Sequence, residues 1–342
     1  MSGNSALGVL LAGFSGIGSQ DHQSAMYEPA LRAQDGCAIV GVVASSADDK
    51  AVAHAAAERL GVPCHDDLAT ALERPEVGAV SVAVPLAERR RTIITAARAG
   101  KHILADKPLA ATLEDVLAVA EAVAEAGVAL VPAHHQRLNP VLRAAAAAVG
   151  AGRVGLPWDI QADFVVAGGD PAPTGELFNL GLYPLDVVRS VIGLDAHRVH
   201  AIPIRSGRTS DDLADDGATL MVDYDNGVTA TIVVMRAPRV GDLAPGGVLR
   251  HRYRISGSHG VLAVDALRLG LQVRTASRND RGWTGQNTTA ALIDSFHRAA
   301  RGGTCAPGIA DAVHVHRVLD AAQRSTRSGR PELIADSQGV SQ

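Results

Sequence analysis

The chain has 342 residues, ordinary apolar content, few aromatics and a formal charge of −4. This length predicts two domains, each able to bury a core of its own. The acidic balance excludes nucleic acid as the main partner, since that partner calls for a basic surface. No apolar run has the length needed to cross a bilayer, so no membrane attachment is expected. Cys37, Cys64 and Cys305 are widely spaced and show no metal-type pattern, and Met1 to Ser5 carries no basic leader. Together these features predict a reducing, cytoplasmic setting.

Ala6 to Ala12 is a continuous apolar run, suited to a buried parallel strand. Gly13-Phe14-Ser15-Gly16-Ile17-Gly18 follows at once, then a helical stretch at Gln20 to Ala33 and a second apolar strand at Cys37 to Ala44. A strand, a glycine turn, a helix and a strand cradle a dinucleotide pyrophosphate on a helix N-terminus. The usual spacing is G-x-G-x-x-G. Gly13 and Gly18 fit its first and third positions, whereas Ser15 stands at the second, with Gly16 and Ile17 completing the turn. An NAD site ordinarily places an acid at the end of the second strand, for the ribose 2′-hydroxyl. Ser45 and Ser46 stand there, with Lys50 nearby, so NADP is favoured and NAD is a possible alternative. The serines equally suit a cap for the next helix.

The alternation continues with helices at Asp49 to Leu60, Asp66 to Leu72, Arg89 to Ala99 and Leu113 to Ala126. Strands fall at Ala79 to Val84, Ile103 to Ala105 and Val128 to Ala133. Alternating strands and helices predict a doubly wound parallel sheet over residues 1–133. Arg89-Arg90-Arg91 spans most of a helical turn and cannot face one ligand, so it is expected to be a solvated helix start. Lys107 follows the strand that ends at Ala105, at the carboxyl edge where ligands bind in such sheets. Pro108 restricts its backbone, which fixes its pose.

From residue 134 to 342 the pattern changes to mostly strands, with a helix at Leu177 to Val191 and closing helices at Thr289 to Arg301 and Ile309 to Ser328. Strands are expected at Trp158 to Val166, Val199 to Arg205, Ala218 to Tyr224, Val228 to Met235, Arg252 to Ser256 and Val261 to Val264. Asp225-Asn226-Gly227 is a strong hairpin signal. The expected second domain is α/β, with an open, mainly antiparallel sheet. Arg236 to Arg250 is its most mobile loop by composition. An uncovered apolar sheet face predicts a homodimer or homotetramer.

Val82-Ala83-Val84-Pro85, the block Ala99-Gly100-Lys101-His102-Ile103-Leu104-Ala105-Asp106-Lys107-Pro108-Leu109-Ala110 and the stretch Gly175 to Asp186 join the glycine turn in one order. In this order the chain resembles the glucose–fructose oxidoreductase / inositol dehydrogenase (Gfo/Idh/MocA) family over nearly its whole length. The resemblance implies a Rossmann domain followed by an α/β domain with an open sheet. It also implies that Pro85 and Asp106, with Lys107, belong to the cofactor site. The family's common Asp-x-Gly-x-His reads Asn179-Leu180-Gly181-Leu182-Tyr183 here, and its Glu-Lys-Pro reads Asp106-Lys107-Pro108. A branch of the family is similar at the tyrosine and pairs it with the lysine.

Free tyrosine titrates near ~10, and a neighbouring ammonium lowers that value. The resemblance therefore implies Tyr183 as general acid/base, with Lys107 tuning it and hydrogen-bonding the reacting oxygen; the two titrate as a pair, and either could move the proton. Asn179 cannot take up a proton and would orient substrate. Asp186 shares a helical face with both Asn179 and Tyr183, and is expected at the substrate or in a salt bridge. Arg137, in His134-His135-Gln136-Arg137, would also line the substrate site. His314 and His316 do not share a helix face, and no metal is expected. The implied activity is alcohol–carbonyl interconversion on a sugar-like or polyhydroxylated small molecule by NAD(P). The alternatives are a glycosidase acting through transient oxidation by tightly bound NAD, and a non-catalytic dinucleotide-binding protein.

Overall fold

The structure, a computed structural model, describes residues 6–14, 21–168, 171–205, 214–237, 247–267, 270–275, 279–283 and 287–334. The chain divides into two compact units, Met1–His135 with Asn287–Val313, and Gln136–Gln286 with His314–Gln342.

The first unit is built on six strands: β1 (Leu7–Ala12), β2 (Cys37–Val43), β3 (Cys64–His65), β4 (Ala79–Val82), β5 (His102–Ala105) and β6 (Leu130–Pro132). All pair in parallel in the order β3-β2-β1-β4-β5-β6. The order reverses at β1, so the carboxyl ends of β1 and β4 form the switch point at which open α/β sheets bind ligands. Five helices connect these strands: α1 (Glu28–Ala33), α2 (Lys50–Leu60), α3 (Leu68–Leu72), α4 (Leu86–Arg98) and α5 (Leu113–Ala126). The expected helix from Gln20 to Ala33 begins with a π-helical turn, Gln23–Tyr27. The core combines Leu10, Val80, Val82, Ile103 and Ala105 from the strands with Ile93, Val116 and Val119 from the helices. β3 was not expected, because a two-residue strand after Pro63 has no periodicity to read.

The second unit opens with α6 (Pro140–Gly150), β7 (Pro157–Ala167), α7 (Glu176–Leu180) and α8 (Leu182–Ile192). The expected single helix of 177–191 is interrupted at Gly181. Pro184 lacks the N–H that would bond the Leu180 carbonyl, so the ladder breaks there. Then come β8 (Ala196–Ile204), β9 (Gly217–Tyr224), β10 (Thr229–Ala237), β11 (Val248–Gly257), β12 (Gly260–Asp265), β13 (Gly270–Thr275) and β14 (Asn279–Trp283). Between β9 and β10, Asn226 and Gly227 take φ of 62° and 76°, the left-handed backbone that an Asn-Gly hairpin turn needs. Of the expected loop at 236–250, Arg236 and Ala237 end β10 and Val248 begins β11, while 238–246 lie outside the described residues.

The chain returns to the first unit through α9 (Thr288–Ala299). This helix buries Leu292, Ile293 and Phe296 and packs on α1 and β6. The first unit therefore includes Asn287–Val313, which the sequence boundary assigned to 134–342. An apolar helix face does not reveal from sequence which sheet it will cover. α10 (Ile309–Ser328) and the short β15 (Glu332–Leu333) complete the chain. The second sheet runs β14-β13-β12-β11-β7-β10-β9-β8-β15, antiparallel except for the β7–β10 pair. No helix among the described residues is long and apolar enough to cross a membrane.

Candidate functional site

Gly13 ends β1 with φ of 76°, and a Cβ there would lie 2.8 Å from both the Ala83 carbonyl oxygen and Val84 Cγ1. Only glycine allows the chain to turn so close to the end of β4. Ser15, Gly16, Ile17 and Gly18 lie outside the described residues. A cavity opens at the same edge, lined by Ala12, Gly13, Val43, Ala44, Ser45, Leu68, Val84 and Thr92. Asp66, Asp67, Glu88 and Arg91 bring charge to it. Small apolar walls, a hydroxyl and a charged rim suit the adenosine half of a dinucleotide.

Ser45 and Ser46 are organised by a residue that sequence reasoning passed over. The carboxylate of Asp49 accepts from Ser45 N (3.0 Å), Ser45 Oγ (2.8 Å), Ser46 N (2.9 Å) and Phe14 N (3.1 Å). Burial pushes its carboxyl up, but these donors outweigh burial and hold it below the usual range. Asp49 thereby ties the end of β1 to the turn after β2. The serines do not cap α2 through their side chains. Lys50 is exposed on the first residue of α2 and is not part of the cavity wall.

At the end of β5, Asp106 is fully buried. Tyr27 Oη donates to it at 2.6 Å, His22 Nδ1 at 3.0 Å and Arg89 Nη2 at 3.2 Å. Burial raises the Asp106 carboxyl, but Arg89, His22 and Tyr27 together hold it well below the ordinary carboxylate range. Its oxygens are thus engaged by protein donors, whereas the family resemblance implied cofactor contact. Arg89 also donates to the Val84 carbonyl at 2.9 Å and the Pro108 carbonyl at 2.5 Å. It stitches the end of β4 to the Lys-Pro step. The three consecutive arginines do three things: Arg89 is buried in this clamp, Arg90 pairs with Asp115 on α5 at 3.2 Å, and Arg91 reaches the cavity. Arg89 corrects the expectation of a solvated run, because a buried carboxylate needs a buried cation. Lys107 follows Asp106 and is 6% exposed, and Pro85 caps α4 at the adjacent strand end.

In the second unit, Glu176, Asn179 and Tyr183 follow one another at spacings of three and four residues along α7 and α8. Asn179 Nδ2 donates to Glu176 Oε2 at 2.8 Å. Glu176 is fully buried and also accepts from Ala172 N at 2.8 Å and Arg236 Nε at 2.6 Å. Tyr183 is 9% exposed and packs its ring on Phe164 of β7, with centroids 5.1 Å apart. Phe164 meets His251 of β11 edge-on at 4.9 Å, and His251 Nε2 shares a 3.0 Å hydrogen bond with Tyr253 Oη. Burial pushes the His251 imidazole down to about 4, so it is neutral at ordinary pH. Arg137, expected at the substrate, and Asp186, expected there or in a salt bridge, form a part-buried two-point ion pair at 2.7 and 2.5 Å. Arg236, Phe164 and His251, on β10, β7 and β11, carry no sequence signal of this kind, because only strand pairing brings them to these helices. His314 faces Asp195 at 3.5 Å, and His316 packs on Phe178.

Residues 7–134 match the family described as GFO_IDH_MocA, oxidoreductase family, NAD-binding Rossmann fold, and residues 142–263 match the GFO/IDH/MocA C-terminal domain. The chain is 32% identical to 1,5-anhydro-D-fructose reductase of Ensifer adhaerens over 46% of its own length, and that match spans half of the relative. It is 29% identical to inositol 2-dehydrogenase 2 of Saccharopolyspora erythraea, over 78% of this chain and 87% of the relative. Among solved structures, aldose-aldose oxidoreductase of Caulobacter crescentus superposes with a TM-score of 0.81 at 21% identity, over 96% of this chain and 99% of that one. At that identity the superposition speaks for the fold.

Proposed function

The chain belongs to the Gfo/Idh/MocA oxidoreductase family, and from that premise we propose that it interconverts an alcohol and a carbonyl on a sugar-like, polyhydroxylated small molecule with a nicotinamide dinucleotide. The observation that carries this reading is the cavity at the carboxyl ends of β1, β2 and β4, with Gly13 in its lining, and Lys107 just past the end of β5, the neighbour of β4. The bound dinucleotide supplies the hydride donor or acceptor. Tyr183 exchanges the proton of the reacting hydroxyl, and Lys107 lowers the cost of the phenolate and hydrogen-bonds the reacting oxygen. Asn179 orients substrate through its carboxamide. Arg137 and Asp186, joined to each other, stiffen the start of α8 beneath Tyr183.

Ser45, Ser46 and Lys50 favoured NADP from sequence. Asp49 now supports NAD. The amide hydrogens of both serines and the hydroxyl hydrogen of Ser45 are already donated to its carboxylate. They are not open to a 2′-phosphate, and Asp66, Asp67 and Glu88 outnumber Arg91 at the cavity. Ser45 Oγ keeps acceptor capacity for a neutral 2′-hydroxyl. The reading also includes a homodimer or homotetramer formed through the open sheet face, where Ile202 and Met221 are more than half exposed on adjacent strands. The free cysteines suit a cytoplasmic setting.

The test is thermal stabilisation by NADH and NADPH side by side, followed by turnover of neutral sugars and polyols. NADH is expected to give the larger shift, and ligand at a hundredfold over Kd adds about 2.7 kcal/mol. Lys107→Ala and Tyr183→Phe are each expected to lower kcat by at least about a hundredfold in a folded protein. Full activity in Tyr183→Phe with an unchanged pH profile would return the tyrosine to a packing role. Co-purified NAD with sugar release and no net NADH change would favour the redox-neutral glycosidase.

A further inference from the structure

The position where the family commonly carries an aspartate is Asn179 here, and the structure accounts for the missing charge. A carboxylate stands one turn earlier, at Glu176, and holds the Asn179 amide at 2.8 Å. Glu176 in turn fixes Arg236 at 2.6 Å through Nε. The guanidinium is pinned a second time, by Nη1 donating to the Gly168 carbonyl at 3.1 Å. Its remaining nitrogen, Nη2, has no partner among the described residues, and the side chain is 16% exposed. Arg236 lies near the carboxyl end of β10, paired with Val166 of β7 in the sheet's parallel pair. β10 packs against both α7 and α8, the helices that carry Asn179 and Tyr183.

A guanidinium held at two nitrogens is already ordered, so a third hydrogen bond costs little further side-chain entropy. Its charge is balanced by Glu176, and Asp215 adds a second carboxyl by accepting from Leu177 N at 2.8 Å. The cluster therefore has no net positive charge with which to hold an anion, yet it offers one rigid donor. We propose that Arg236 is a substrate-specificity residue whose Nη2 donates to a hydroxyl or ring oxygen of a neutral polyol, with Glu176 excluding sugar acids. This rests on the oxidoreductase reading above and names the substrate class of that same site.

The test compares D-glucose and sorbitol with D-gluconate and D-glucuronate on the wild type, Arg236→Lys and Glu176→Gln, each checked for folding by thermal melting. The wild type is expected to turn over the neutral compounds in preference to the acids. Arg236→Lys cannot hold Glu176 and also reach the Nη2 position, so KM for the neutral substrate is expected to rise about tenfold or more, with kcat within about threefold. Glu176→Gln removes one of the cluster's two carboxylates, the one bonded to Arg236, and so weakens the exclusion of anions, and the ratio of kcat/KM for acid over neutral substrate is expected to rise about tenfold. Two results each overturn the proposal while the oxidoreductase reading stands: an unchanged KM in folded Arg236→Lys, or an unchanged ratio in Glu176→Gln. If the folded wild type binds neither NADH nor NADPH and turns over no compound of either set, the oxidoreductase reading falls, and this assignment with it.

Discussion

Replacing Arg89 by methionine tests the clamp at the Lys-Pro step. The arginine is 1% exposed, and its removal leaves the fully buried Asp106 with His22 and Tyr27 as donors. Breaking one side of a buried ion pair costs about 3–5 kcal/mol, because the remaining charge is uncompensated. The carbonyls of Val84 and Pro108 also lose their donor. Methionine restores the apolar stem, and two donors to Asp106 survive, so a loss of about 3 kcal/mol is expected. At about 2–4 °C per kcal/mol for a unit of this size, the melting temperature falls by about 6–12 °C. The pH dependence provides a second check. In the wild type the folded carboxyl lies below its unfolded value, so its contribution is fully present above about pH 4 and is lost as pH falls below that. In Arg89→Met the largest of the causes that lower the folded carboxyl is gone, so it rises relative to the wild type and protonation relieves part of the penalty. The stability gap, measured by denaturant unfolding, should be widest at neutral pH and narrow towards pH 4. Adding Asp106→Asn to Arg89→Met should recover at least about 1 kcal/mol relative to the sum of the single changes. A gap under about 1 kcal/mol, or one that is flat with pH, would refute the reasoning.

Other consequences can be measured separately. Gly13→Ala places a Cβ 2.8 Å from the Ala83 carbonyl at a φ of 76°, and should cost about 2–4 kcal/mol and weaken NADH binding at least tenfold by calorimetry. Asp49→Asn removes one negative charge beside Ser45, and repulsion of about 1 kcal/mol at close range predicts that the NADH-over-NADPH preference narrows about fivefold in Kd. His251 is protonated in the unfolded chain below about pH 6.5 but stays neutral when folded until about 4, so it removes about 3 kcal/mol of stability across that window as pH falls. His251→Phe should flatten that part of the stability–pH curve, and an unchanged slope would place the titration elsewhere.

Much of the first unit was legible because parallel strands are continuous apolar runs and its helices carry their own stops. α5 falls where periodicity placed it, with Thr112 capping at Asp115 N and Gly127 ending it. The candidate site was legible where a single residue type is required by local backbone, as at Gly13. It was not legible where a side chain's role depends on a distant partner. Arg89 looked like one of three solvated arginines until Asp106, seventeen residues later, was found beside it. Asp49 looked like an ordinary helix start, yet it organises both serines from which the cofactor preference had been read. Asp186 carried two open expectations, and its partner, Arg137, which meets it at two points, lies forty-nine residues away.

Hydrophobic period, glycine placement and proline restriction act within a few residues, so the sequence by itself determined the order of the longer elements of the first unit, the doubly wound sheet and the strand end that carries Lys107. Tertiary structure decided which charges are neutralised and which donors remain open. A buried carboxylate is stable only where strands or helices from elsewhere bring it a cation or hydrogen-bond donors, and that meeting follows from sheet order and not from spacing along the chain. Glu176 and Arg236 lie sixty residues apart and become partners only because α7 packs on β10.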